Sequence, residues 1–109
     1  MPNPKARHHV YVVLLDSRVT SHRAFVDQNP NLGPDTVCLY VGMTGITPED
    51  RFASHKEGHK ANRYVRKYGI RLLPELYERL NPLTYDEAQA AERRLADELR
   101  SAGYAVWQR

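Results

Sequence analysis

Two short apolar runs constrain this chain more than anything else in it. His9-Val10-Tyr11-Val12-Val13-Leu14-Leu15 and Val37-Cys38-Leu39-Tyr40-Val41 are dense in β-branched and aromatic residues and too short for buried helices. Both are expected as strands, the first of them central, with Gly42 releasing the second. A chain of 109 residues is near the commonest domain size, so residues 1–109 are expected to form one domain around one modest core.

The rest of the pattern is helical. Thr47-Pro48-Glu49-Asp50 reads as a helix start, with Thr at the N-cap, Pro in the first turn and two acids facing the positive end of the dipole; Gly58 should stop it after Glu57. Lys60 to Tyr68 is expected as a second helix closed by Gly69. Thr84-Tyr85-Asp86-Glu87 is a capping box opening a long helix to Gly103, whose inward stripe runs Ala88, Ala91, Glu92, Leu95, Leu99, Ala102. Between the two strands, residues 17–36 form a long connection that suits a short helix near Ser21 to Asp27 before a run of turn residues. Alternation in Leu72 to Leu80 suggests an edge strand, because Pro74 argues against a central one. Tyr104 to Trp107 is apolar enough to pack as a short strand or tail.

Charge is unevenly placed. Lys and Arg outnumber Asp and Glu by 16 to 13, yet Arg51 to Arg71 holds seven basic residues and one acid, a local +6 within a net +3. A basic region of this kind suits an acidic partner. Lys56, Lys60, Arg63, Arg66 and Lys67 would form a basic ridge for a phosphate backbone, although a plainly solvated surface would look the same. The single cysteine, Cys38, excludes an internal disulfide and fits a reducing cytoplasm. No apolar run has the length of a membrane span, and the first residues lack the apolar segment of a signal peptide, so a cytoplasmic protein without membrane contact is expected. No zinc spacing, glycine-rich phosphate loop or Ser-His-Asp pattern is present.

Four kinds of side chain carry candidate chemistry. Tyr11 and Tyr40, one in each strand, could position and deprotonate water, a task for which a phenol with an ordinary pKa near 10 needs help from a nearby cation or a metal-bound hydroxide; strand tyrosines also serve simply as packing. Arg51 and His55, four apart on one helical face, could clamp a phosphate oxygen as charge builds in a transition state. Glu92, a lone carboxylate on an apolar stripe, could pair with a core arginine, curl out to solvent or hold a Mg²⁺.

In this order, Val10-Tyr11-Val12, Tyr40-Val41-Gly42 with Thr44, Arg51-Phe52 with His55, and Ala91-Glu92 with Leu95 and Leu99 resemble the motifs of the GIY-YIG nuclease superfamily over about residues 8 to 104. The resemblance implies a small α/β domain, a three-stranded antiparallel sheet flanked by helices, with an active site on one sheet face. It implies that one or both of Tyr11 and Tyr40 activate water, that Arg51 stabilises the pentavalent phosphate with help from His55, and that Glu92 binds one divalent ion, Mg²⁺ or Mn²⁺. The expected activity is metal-dependent endonucleolytic hydrolysis of nucleic acid, DNA in particular. Targeting would fall to a partner protein, a second copy of the chain or the 17–36 insert. The chain departs from the pattern at His9, which replaces the first signature glycine, in the length of the insert, and at Tyr104, near the place of a frequent asparagine. These departures leave open a nucleic-acid-binding module without catalysis. A small interaction protein with merely structural motif residues is a third reading.

Overall fold

The computed structural model describes residues 4–108. Its centre is a four-stranded sheet of β1 (His9–Leu15), β2 (Cys38–Thr44), β3 (Gly69–Leu72) and β4 (Ala105–Gln108), in the order β3-β1-β2-β4. β1 pairs antiparallel with both β2 and β3, whereas β4 pairs parallel with β2, from Cys38 opposite Ala105 to Val41 opposite Gln108. The sheet is therefore mixed and four-stranded, not the three-stranded antiparallel sheet expected. The tail after Gly103 supplies the extra strand, brought alongside β2 by the long helix that precedes it.

Helices cover the sheet. α1 (Arg23–Asp27) lies in the long connection, α2 (Pro48–Glu57) and α3 (Arg63–Tyr68) pack together against β1 and β3, and α4 (Tyr85–Ser101) packs against β2 and β4. The caps read from sequence are formed. Thr47 Oγ1 accepts from the Asp50 N–H at 3.1 Å, and Gly58 closes α2 at φ +89°, where a side chain would be strained. Thr84 Oγ1 accepts from the Glu87 N–H at 3.2 Å while Glu87 Oε1 accepts from the Thr84 N–H at 2.8 Å. Along α4, Ala88, Ala91, Leu95, Ala96 and Leu99 are buried; Ala102 caps the helix and is exposed, and Glu92 is half-buried.

Several boundaries differ from expectation. β2 runs through Gly42 to Thr44, so the glycine lies inside the strand and does not end it. α3 begins only at Arg63, because the Asn62 side chain accepts from the Tyr64 and Val65 N–H groups and so caps the helix there. The expected edge strand from Leu72 to Leu80 is absent: β3 ends at Leu72, and 3₁₀ turns at Pro74–Leu76 and Glu78–Leu80 follow. In place of a strand, the Asn81 amide pairs with Val10 of β1, accepting from its N–H at 2.9 Å and donating to its carbonyl at 2.8 Å. The Asn81–Pro82 peptide is cis.

The long connection belongs to the same core. Val19 and Phe25 are fully buried in it, and two consecutive amides reach the outer side of β4. Asn29 accepts from the Val106 N–H at 2.7 Å and donates to its carbonyl at 3.0 Å; Gln28 does the same for Gln108 at 3.3 Å each. Among the described residues no helix is long and apolar enough to cross a membrane.

Candidate active site

Register brings the two tyrosines together. Tyr11 lies opposite Gly42 and Tyr40 opposite Val13, which makes the two phenols diagonal neighbours on one face of the β1–β2 pair. Gly42 makes room for them. A methyl group there would stand 2.7 Å from Tyr40 Cε2 and 2.9 Å from Tyr11 Cζ and its hydroxyl, closer than carbon atoms pack. The ring centroids are 5.9 Å apart, and His55 completes a triangle at 6.1 Å from Tyr11 and 5.8 Å from Tyr40.

His55 is 0% exposed, and its two nitrogens have different partners. The Asn62 backbone N–H donates to Nδ1 at 3.0 Å, so Nδ1 carries no proton and Nε2 does. Nε2–H then donates to the Tyr11 hydroxyl at 2.8 Å. Burial raises the Tyr11 pKa far above that of a free phenol; the charge of Tyr40 and a hydrogen bond with Tyr40 raise it further, outweighing the lowering by Arg51. Because the Tyr11 hydroxyl accepts from His55, its own hydrogen remains to be donated. The chain thus runs from the Asn62 amide through His55 to Tyr11, with both hydrogens pointing the same way, and the Tyr40 ring lies beside it at 5.9 Å between centroids.

Arg51, from the same helix as His55, is half-buried and tied to the turn that follows α2. Its guanidinium donates to the carbonyls of His59 at 3.2 Å and Lys60 at 2.8 Å, and Lys60 adopts φ +45°. Across from it, α4 contributes Glu92, whose Oε1 accepts from Gln108 Nε2 at 3.4 Å. Tyr11, Tyr40, Met43, Arg51, Tyr85, Gln89 and Glu92 line one cleft of about 310 Å³. Four of the five candidate catalytic and metal-binding residues meet there; His55 stands behind Tyr11, buried.

The donor set is compatible with a hard divalent ion that takes few protein ligands. Among the described residues no three His, Cys, Asp or Glu side chains are gathered to hold an ion, which is not the arrangement of an all-protein cage. A single carboxylate on a cleft wall matches a Mg²⁺ that keeps most of its water and takes its remaining ligands from substrate phosphate.

The basic ridge is exposed but partly engaged. Lys56 Nζ donates to the carbonyls of Arg66 at 3.0 Å and Gly69 at 2.9 Å, binding the C-terminal end of α3. The Arg63 guanidinium lies 4.8 Å from the Tyr64 ring centroid, Lys67 Nζ lies 5.4 Å from that of Tyr68, and the Arg66 guanidinium covers Gly58. Lys60 is exposed at the turn that receives Arg51. Tyr64 and Tyr68, interleaved with these cations in sequence, are buried in the core.

Sequence reasoning overlooked Asn62, Met43, Tyr85, Gln89 and Gln108. For the α4 members a signal existed: Tyr85, Gln89 and Glu92 are spaced four and three apart, one helical face. Asn62 and Gln108 had none, because their contacts cross between elements. No family model, characterised protein or solved structure matches the chain.

Proposed function

We propose that the chain is a metal-dependent endonuclease of the GIY-YIG kind, hydrolysing phosphodiesters of nucleic acid, with DNA the preferred substrate. The observation that carries this reading is the convergence of Tyr11, Tyr40, Arg51 and Glu92, from β1, β2, α2 and α4, on one cleft. Two phenols, a guanidinium and a carboxylate there can orient water, neutralise a phosphate and hold a hard cation.

The hydrogen-bond chain divides the labour. Tyr11, buried and strongly biased toward its protonated form, is a positioning residue; Tyr40, once its own proton has been released to solvent, is the phenolate that would take the proton from the attacking water. His55 fixes Tyr11 through the Nε2–H tautomer that the Asn62 amide imposes. Arg51, already aligned by two carbonyls, has guanidinium hydrogens left to bind a non-bridging oxygen as negative charge grows. Glu92 would hold the divalent ion, which when bound would supply Lewis-acid stabilisation of the leaving oxygen.

A nucleic-acid-binding module without cleavage is the second reading. It is favoured by the burial of both tyrosines, 1% and 3% exposed, which leaves little of either hydroxyl open to water. Supercoiled and branched DNA incubated with Mg²⁺ or Mn²⁺ separates the two. The nuclease nicks, and Arg51→Ala and Glu92→Ala each lower the rate by about 10²–10³. Nicking that persists in both variants identifies a contaminant and removes the assignment; a wild type that binds, with affinity falling steeply in salt, but never nicks leaves the binding module.

A further inference from the structure

The chain has ten aromatic residues, seven Tyr, two Phe and one Trp, and only Tyr85 among them is exposed, at 53%. It stands at the wall of the same cleft as Tyr11, Tyr40, Arg51 and Glu92. An aromatic side chain normally hides 150–250 Å² on folding, about the largest share any side chain contributes, so a half-open ring beside a site forgoes a substantial gain.

Nor is the ring loose. Tyr85 is the first residue of α4, directly after the Thr84 N-cap, so its backbone is set by the capping box. The His8 ring meets it edge to face, with centroids 5.3 Å apart and planes at 81°, and Gln89 Nε2 donates to its hydroxyl at 3.4 Å. It is therefore braced by neighbours while about half of its surface remains open. Gln89, exposed beside it in the cleft, carries an amide able to pair with the polar edge of a flat ring.

Resting on the phosphodiesterase reading of the cleft, we propose that Tyr85 is a stacking platform for an unpaired base adjacent to the scissile phosphate. The preferred substrate is then nucleic acid with an unstacked nucleotide at the cut, such as a flap or a single-stranded junction, in preference to continuous duplex. In a duplex each base face is covered by its neighbours, so only an unpaired base can offer its face to Tyr85. The cleft, near the small end of the roughly 300–1,000 Å³ of ligand pockets, has room for about one nucleotide.

The test uses metal-free buffer, so that cleavage plays no part. The probes are a DNA duplex with a single-stranded flap carrying 2-aminopurine at its first unpaired position, and a continuous duplex of equal length with 2-aminopurine paired. Wild type should bind the flap more tightly and quench its fluorescence. Tyr85→Phe should retain both effects; Tyr85→Ala should abolish the quench and weaken flap binding by roughly 5- to 150-fold, leaving duplex binding within about twofold. An intact quench in Tyr85→Ala, or equal loss on both probes, overturns the proposal, as does the absence of any flap preference in wild type. A chain that quenches but never nicks in Mg²⁺ fails as a nuclease and keeps the platform; one that nicks without quenching loses the platform alone.

Discussion

Gly42→Ala tests the geometry of the tyrosine pair directly. The added methyl would lie 2.7 Å from Tyr40 Cε2 and 2.9 Å from Tyr11 Cζ and its hydroxyl, some 0.6–0.8 Å inside the ~3.5 Å contact distance. Neither ring can yield easily, because both are buried and Tyr11 is bonded to the fully buried His55. Overpacking of this kind costs about 1–3 kcal/mol, and replacing a strand glycine returns about 0.5–1 kcal/mol of backbone entropy. The net expectation is a loss of about 1–2 kcal/mol, or a Tm lower by roughly 5–15 °C in a domain of this size. Urea unfolding of wild type, Gly42→Ala, Tyr40→Leu and the double variant completes the experiment. Leucine lacks the Cε2 atom that the methyl meets, so the glycine substitution should cost at least 0.5 kcal/mol less in the Tyr40→Leu background. A Gly42→Ala protein as stable as wild type, or strictly additive effects in the cycle, would refute the claim that this glycine exists to seat the two phenols.

Asn29→Ala should cost about 2–4 kcal/mol, because it strands the N–H and carbonyl of buried Val106, whereas Asn81→Ala, at a part-buried position that water can reach, should cost about 1–2 kcal/mol; denaturant midpoints and hydrogen exchange at the Val106 and Val10 amides check both. Alkali should destabilise the fold. Burial and nearby Glu49, Glu78 and Glu75 push the Tyr77 phenol up to about 12, so the unfolded chain loses that proton first and stability falls from about pH 10 toward pH 12, a decline that Tyr77→Phe should reduce in thermal melts. Acid acts through Glu87, whose carboxyl the Thr84 N–H holds below its ordinary 4.5; its contribution is present above that pH and is lost as the pH drops through the lower folded value, and Glu87→Gln should remove this component. If the ridge binds DNA, Lys60→Ala should reduce the slope of log affinity against log salt by about 1, and Lys56→Ala, which releases two carbonyls at the end of α3, should instead register mainly as a lower Tm.

What could be read from the chain was local. Thr47, Gly58 and the Thr84–Glu87 pair each act within one turn, and their caps formed as written. Leu76, Glu78 and Leu80 alternate like a strand, but the partner position beside β1 is already taken by the side chain of Asn81, and no periodicity announces an amide doing the work of a backbone. β4 was legible as an apolar segment and not as a parallel neighbour of β2, since its register depends on where α4 delivers it. In the site, the order of Tyr11, Tyr40, Arg51 and Glu92 along the chain matched their meeting in the cleft. His55 was visible too, yet its place behind Tyr11 depends on the Asn62 amide, a contact set by the bend between α2 and α3.

Asn29, Gln28 and Asn81 share a consequence for association. A strand laid beside another satisfies its neighbour and presents a fresh row of donors and acceptors, so growth can continue. A side-chain amide satisfies the same groups without laying down a further row of backbone donors and acceptors: in polymer terms it is a terminator where a strand would be a monomer. By ending β4 with two such amides and the free stretch of β1 with a third, the domain makes strand-by-strand growth at those edges contingent on first displacing residues that the fold itself needs.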